Sequence, residues 1–450
     1  MKKTFLLVLL SGLCACHQAH RNAEHPSLLL KDVTLIDGSG AAPITHTNLL
    51  IKGDSIAAIG NDIHAEGATV LQLSGKTIMP ALISAHMHIG TLKDTTNKGE
   101  NYTRDNILNQ LRKYADYGVT NVQVMGTDRP MLFHTGLRDS SQNGLLPGAR
   151  LHSAGYGFGV PNGAPPVAMA MDSVFRPATV DQVPAEMDSL AELKPSLVKI
   201  WVDDFNKKFP KMDTAIYRSI IREAHKHHLR VAAHLYYLSD ARSLVKEGVD
   251  IIAHSVRDSV IDDALIKEMR EKEIAYIPTL SLDEYAYIYA RRPEWINDPF
   301  FKSSLEPGVY EKITSPQYQE GLKNSPDYER NVHAFETALQ NVAKLHAAGI
   351  LLTMGTDSGA TPIRTQGFSE HLELELMVQA GLKPIEAITA ATRNAARVLD
   401  IDRSFGTLAA GRRADFIILD ANPAEDIKNT RKIFAVYKAG KQVSNGPLQK

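Results

Sequence analysis

Cysteine is nearly absent from this 450-residue chain: there are two, Cys14 and Cys16, both within the first sixteen residues. A disulfide framework for the body of the protein is therefore excluded. An excess of one charge is missing as well. The 50 basic and 51 acidic side chains leave a formal net charge of -1, so no broad field exists to draw in a polyanion, and nucleic acid is not an expected partner. Low-complexity tracts and solenoid-period repeats are also lacking, and Gly (30) and Pro (22) are near ordinary usage. What is present is a composition 44% apolar over this length, enough for one large domain and a smaller companion.

Residues 1–16 read MKKTFLLVLLSGLCAC. Two lysines, an apolar run too short for a mature bilayer anchor, then small residues and cysteine form the pattern of a secretory signal. The stretch Leu13-Cys14-Ala15-Cys16 resembles a bacterial lipobox, which implies that Cys16 becomes the lipidated first residue and that 17–27 is a tether. The alternative is an ordinary cleaved signal with a soluble periplasmic product. Either way the expectation is export, to the periplasm or to the outer membrane as a lipoprotein.

LLLKDVTLIDG, NLLIKGDSIAAIG and ATVLQLSGKTIMPA near the start, and GTLAAGRRADFIILD and IFAVYKAGKQVS near the end, are short β-rich runs punctuated by glycine. They predict a small, antiparallel β-sandwich domain built from 28–79 and 403–450. Between them, strand and helix alternate. ALISAHMHIG, VTNVQVMG, ARLHSAGYG, LVKIWVDD, LRVAAHLY, VDIIAHSV, IAYIPTL and ILLTMGTDSG are eight strand candidates, separated by amphipathic stretches such as DTAIYRSIIREAHKHH and DDALIKEMREK. That order predicts an α/β fold, a (β/α)8 TIM-like barrel over 80–402.

In such barrels chemistry sits where strands end. His86 and His88 close the first strand; being two residues apart, they face the same way and can grip one ion. Lys199 lies on the fourth strand, His234 on the fifth, His254 on the sixth and Asp357 on the eighth. Any one of these is more often a satisfied core residue, but six converging on one rim are hard to explain by packing, because unpaired buried polar groups are costly. Imidazole and carboxylate without thiolate suit zinc or a similar divalent ion. For Lys199 three readings are open: a stem snorkelling from the barrel layers, a cation for a substrate carboxylate, or an amine converted by carbon dioxide into an anionic carbamate that bridges two metals.

Taken together, HMH at 86–88, VKIW around Lys199, AH at 233–234, AHS at 253–255, GTDSG at 355–359, HLELELMVQAGLKPIEAITAATRNAA at 371–396 and GTLAAGRRADFIILDANP at 406–423 resemble the metal-dependent amidohydrolase superfamily, in its prolidase-like, imidazolonepropionase-related branch. The resemblance implies two divalent ions. His86, His88 and Asp357 would hold the more buried one, His234 and His254 the more exposed one, and carboxylated Lys199 would bridge them, with Asp357 handling the proton of the attacking hydroxide. Two departures stand out. Ala81 and Ser84 replace the glycine and aspartate of the usual PGLIDxHxH, and VQVMG has Gln123 and Val124 where relatives often carry an arginine-aspartate pair, which removes a charged substrate contact.

GYGFG at 155–159 lacks GxGxxG spacing and is followed by VPNGAPP rather than a helix, so it is read as a flexible rim loop and not a nucleotide cradle. His225, His227 and His228 read as an exposed helix end, and His371 as a capping or packing residue. Residues 281–330, long for a barrel loop and rich in aromatics, fold either as a lid over the rim or as a hairpin against the outer barrel or a partner subunit of a homo-oligomer. Tyr236, Tyr285 and Arg291 are candidate substrate contacts. The expected activity is hydrolysis of an amide C–N bond in a small molecule, a dipeptide or N-acyl amino acid. The alternatives are a cyclic-amide hydrolase or lactonase, and a surface binding protein without chemistry. A single-metal deaminase is disfavoured, since AHLYYLSD has no glutamate to shuttle protons, only Asp240.

Overall fold

The computed structural model describes residues 27–449. The signal segment, Cys16 and all of the tether but residue 27 lie outside the described residues. Among these, no helix is long and apolar enough to cross a membrane.

Both ends of the chain meet in one sheet. Its order is Lys441–Ser444, Ile433–Lys438, Phe416–Leu419, Thr77–Pro80, Ser27–Leu35, Ile44–Lys52 and Ser55–Gly60, with Thr69–Gln72 also paired to Ser27–Leu35. The expected sandwich is thus a single hydrogen-bonded sheet, and it is mixed rather than purely antiparallel. The reason lies in the long first strand. Leu28–Lys31 pairs in parallel with Thr69–Gln72, the chain kinks at Asp32 (φ 59), and Thr34 and Leu35 pair in parallel with Thr77 and Ile78. The sheet curls until its edge meets the chain entering it from the other side, where Ile56 N–H donates to Arg412 O at 2.9 Å. Period-two alternation serves two cores. Phe416, Ile418, Ala435 and Tyr437 face the sheet's own interior, whereas Ile417, Leu419, Ile433 and Val436 join the main body.

The main body carries parallel strands alternating with helices. Leu82–Met87, Val119–Val124 and Arg150–Ser153 form one sheet; Val198–Trp201, Val231–His234, Ile251–Ala253 and Ala275–Ile277 form another. Every one of these strand residues is buried, as expected for a sheet covered on both faces. The helices begin where the sequence marks them. Asp213 caps Thr214–Lys226 by accepting from Ala215 N–H at 2.7 Å, and Asp262 caps Asp263–Glu271 by accepting from Leu265 N–H at 3.1 Å.

Seven of the eight expected strands are regular. The eighth, ILLTMGTDSG, makes only isolated parallel bridges, Leu352 to Tyr276 and Ser358 to Met87. It still lies between the seventh and first strands: Thr353 N–H donates to Tyr276 O at 3.0 Å and Ala85 N–H to Met354 O at 2.9 Å. At its end Asp357 adopts φ 56, a left-handed conformation that turns the chain out of the extended region. Between the third and fourth strands the link is GYGFG. Phe158 N–H donates to Lys199 O at 2.8 Å and Trp201 N–H to Phe158 O at 3.1 Å, so this stretch is pinned into the sheet layer rather than loose at the rim. A Cβ on Gly157 would stand 2.4 Å from the Trp201 ring, which explains the glycine.

Residues 281–330 fold into short helices and 3-10 turns, among them Leu280–Tyr285, Pro299–Lys302, Val309–Thr314 and Pro316–Lys323, leading into the long helix Tyr328–Ala347. Its aromatics pack inward against the closing helix Phe368–Gln379. Trp295 lies 4.7 Å from Phe301 and 5.2 Å from Phe368, centroid to centroid.

Candidate metal centre

The strand ends bring the predicted side chains into one chain of contacts. Nε2 of His88 lies 3.0 Å from Asp357 Oδ1 and that of His86 3.2 Å from the same oxygen. Ligand atoms of these three all fall within 4.8 Å of one another. Onward, the His86 ring centre is 4.6 Å from that of His254, which is 4.4 Å from that of His234. Lys199 is fully buried among them; burial, and after it neighbouring charges that include Lys199, depress the pKa values of His86, His234 and His254. Local backbone is strained here: His254 (φ 84) and Asp357 (φ 56) both sit in the left-handed region. Gly355 permits the crowding, since a Cβ there would lie 2.5 Å from Ile277 and 2.7 Å from His86 Cβ.

The donor set fits a cation. The Nδ1 of His86 and the Nζ of Lys199 are buried without a hydrogen-bond partner, and the His86 Nε2, although close to Asp357, makes no well-aligned hydrogen bond, a costly arrangement for groups that want one. Burial and the Lys199 charge push the His86 pKa down to about 3, leaving a neutral imidazole suited to ligation. Of the other rings, His234 and His254 have one nitrogen engaged each, and His88 has both, its Nε2 being the one on Asp357. Nδ1 of His88 meets Thr127 Oγ1 at 2.7 Å, Nδ1 of His254 meets Thr279 Oγ1 at 2.9 Å, and Nε2 of His234 meets Asp203 Oδ2 at 3.0 Å. Such contacts fix which nitrogen is left for an ion. For Asp357, burial would raise the pKa, but His86, His88 and the Arg364 guanidinium on Oδ2 hold it well below the usual carboxylate range. Burial lowers the Lys199 pKa to about 7, against the pull of Asp357.

His86, His88, His234, His254 and Asp357 line a cavity of about 520 Å³, walled by Trp201, Phe205, Phe209, Tyr236 and Tyr237. Of the three candidate substrate contacts, Tyr236 lines this cavity. Tyr285 does not line this cavity: it is buried, stacked 5.7 Å from Tyr289, its hydroxyl 3.1 Å from Ser369 Oγ. Nor does Arg291, which is exposed, donates to Tyr328 Oη at 3.0 Å and lies over the Tyr287 ring. His371 packs in the interior between Thr430 Oγ1 and Tyr117 O, both at 2.9 Å. His225 and His227 are surface partners of Asp250 and Asp188.

Four participants escaped the sequence reading: Arg364, Asp203, and the Arg257–Asp283 ion pair at 2.6 Å in the cavity wall. Arg257 follows His254 by three residues and Asp203 follows Lys199 by four, so proximity to a ligand-bearing strand end was their one available signal. Behind the site, Glu370 accepts from the hydroxyls of Thr356 at 2.7 Å, Ser358 at 3.0 Å and Ser84 at 3.1 Å, and from Gly367 N–H at 2.9 Å. It thus ties the segment around Asp357 to Ser84, the residue that departs from the usual aspartate.

The fold is shared with solved structures. A Bifidobacterium longum protein provisionally named a prolidase superposes with a TM-score of 0.75 at 23% identity over 95% of this chain and 97% of that one. Ochratoxinase of Aspergillus niger superposes with a TM-score of 0.69 at 22% identity over 94% of this chain and 98% of that chain. At these identities the likeness establishes the fold alone. In sequence, ochratoxinase is 28% identical over 243 residues, 53% of this chain and 43% of that protein. Imidazolonepropionase of Deinococcus deserti is 39% identical over 106 residues, 22% of this chain and 25% of that one. The chain thus spans less than half the length of the curated relatives it matches. The amidohydrolase family profile, in contrast, matches residues 77–443; since that span holds every candidate ligand as well as most of the strands that position them, the chain belongs to the amidohydrolase family.

Proposed function

We propose that this chain is an exported metal-dependent hydrolase that cuts an amide C–N bond in a small molecule, a dipeptide or an N-acyl amino acid. The observation that carries the reading is the gathering of His86, His88 and Asp357 beside an unpartnered, fully buried Lys199 and the His234–His254 pair. In this proposal the two parallel sheets and the extended segment at 350–358 are arcs of one (β/α)8 barrel over 80–402, and residues 28–79 and 403–450 form its companion β domain. Residues 1–16 direct export, and Cys16 carries the lipid that anchors the protein. Incorporation of labelled palmitate that disappears in Cys16→Ala tests the anchor.

His86, His88 and Asp357 would hold one divalent ion, and His234 and His254 a second, the donor chemistry suiting zinc. Addition of carbon dioxide to the Lys199 amine, with release of one proton, would give a carbamate anion able to serve both. When bound, such ions acidify water to near neutrality and polarise a carbonyl. The chain's own groups do the rest. Thr127, Thr279 and Asp203 keep the imidazoles oriented, and the aromatic wall excludes bulk water. Asp357 takes the proton of the attacking water at a carboxylate oxygen and delivers it to the departing nitrogen, so that acid and amine appear together.

The test is a screen of dipeptides and N-acyl amino acids with protein stripped by a chelator and then reloaded with zinc. Equal amounts of acid and amine, formed by the reloaded protein and not by the stripped one, are expected. One acidic product without amine, from a lactone, would move the assignment to lactonase. Zinc-dependent stabilisation with no turnover would make the protein a binder.

A further inference from the structure

Four carboxylates line the cavity: Asp203, Asp258, Asp283 and Asp357. Three are accounted for. Both oxygens of Asp357 are taken, by the histidines and by Arg364. Asp203 uses one oxygen on His234 and the other on Phe205 N–H at 3.0 Å. Asp258 is exposed at the mouth and accepts from Leu238 N–H. Asp283 is different: it is 4% exposed, its Oδ1 accepts from Arg257 at 2.6 Å, and its Oδ2 is buried with no partner.

The side chain is firmly held. Arg257 is itself tethered to Leu235 O at 3.0 Å and lies over the Tyr236 ring at 4.9 Å. The short helix that presents Asp283 is pinned at its start by Glu373, which accepts from Leu280 and Ser281 N–H, each at 2.7 Å. Asp283 lines the same cavity as His86, His88, His234, His254 and Asp357. Leu282 and Trp201 supply apolar wall nearby. A firmly held carboxylate in a cavity wall, with one oxygen unpaired, is a site for a hydrogen-bond donor, and a cation satisfies it best.

We infer that Asp283 Oδ2 receives the free α-ammonium of the substrate, so that the substrate class is an aminoacyl amide such as a dipeptide, and not an N-acyl amino acid. The inference rests on the amide-hydrolase reading above and chooses between its two substrate classes. In a dipeptide the ammonium is one carbon from the scissile carbonyl, which suits a carboxylate in the wall of the cavity that the candidate ligands share.

The experiment compares kcat/KM of the zinc-loaded protein for phenylalanyl-leucine and for 3-phenylpropanoyl-leucine, which lacks only the amine. A charge-assisted hydrogen bond to a buried carboxylate predicts a preference for the amine of about 10- to 100-fold, narrowed in Asp283→Asn. Equal cleavage, or faster cleavage of the des-amino compound, overturns the inference while leaving the hydrolase reading intact. If Asp283→Asn does not fold, as judged by circular dichroism, the wild-type comparison decides alone. If neither compound is cut, the hydrolase reading is in difficulty, and calorimetric titration of both compounds then decides the subsite: binding of the amine compound alone supports it, and equal binding or none refutes it.

Discussion

Lys199→Met should make the metal-free protein more stable and at the same time abolish its activity. The lysine stem is gripped: its Nζ lies 5.5 Å from the Trp201 ring, and Gly126 is packed so close that a Cβ there would come within 2.8 Å of Lys199 Cβ. Methionine keeps much of that apolar stem and loses the unpartnered amine. The cost of the amine follows from its pKa, which burial lowers from 10.5 to about 7. The unfolded chain then binds more protons than the folded one between about pH 7 and 10.5, so the penalty is absent above the unfolded value, grows as pH falls through this window and is complete below it. At pH 7 that linkage amounts to about 4 kcal/mol, as an order of magnitude. Denaturant midpoints of chelated, carbon dioxide-depleted protein at pH 7 and pH 10 provide the assay. The variant should be the more stable at pH 7, with the gap nearly closed at pH 10. A variant less stable than wild type at pH 7, or a gap that ignores pH, would refute the reasoning.

Other expectations follow from the same geometry. Asp357→Asn should retain the fold by circular dichroism and lose about 10²- to 10⁴-fold in kcat, as loss of a proton-transfer group does; full activity would remove the shuttle role. Glu370→Ala removes the shared acceptor of three hydroxyls and one N–H, and should weaken metal affinity about 10- to 100-fold, measured by competition with a chromogenic chelator. Gly355→Ala forces a methyl group onto Ile277 and His86, and should cost about 1–3 kcal/mol in thermal unfolding besides lowering activity.

Much of the fold was legible because its signals are local. Apolar strands alternating with capped amphipathic helices gave the α/β order, and the HxH spacing and the polar residues at later strand ends gave the candidate ligands. What escaped depended on distance. The kink at Asp32 that lets one strand change partners and the left-handed Asp357 at the end of the eighth strand candidate leave no periodic trace. Arg364 reaches Asp357 from a loop, and Asp283 matters because Arg257, from another segment, consumes one of its oxygens. Tyr285 and Arg291 follow the end of the seventh strand in a long aromatic-rich stretch, and aromatics after a strand end serve a helix interface as well as a cavity. The aromatic cluster with Trp295 and Phe368 is that interface.

The central claim is that Lys199 helps hold a second metal ion. Elemental analysis of zinc-reconstituted protein, prepared with bicarbonate and compared with Lys199→Ala, tests it most directly. The account predicts about two ions per chain in the wild type and about one in the variant. Two ions retained without the lysine, or one in its presence, would contradict it.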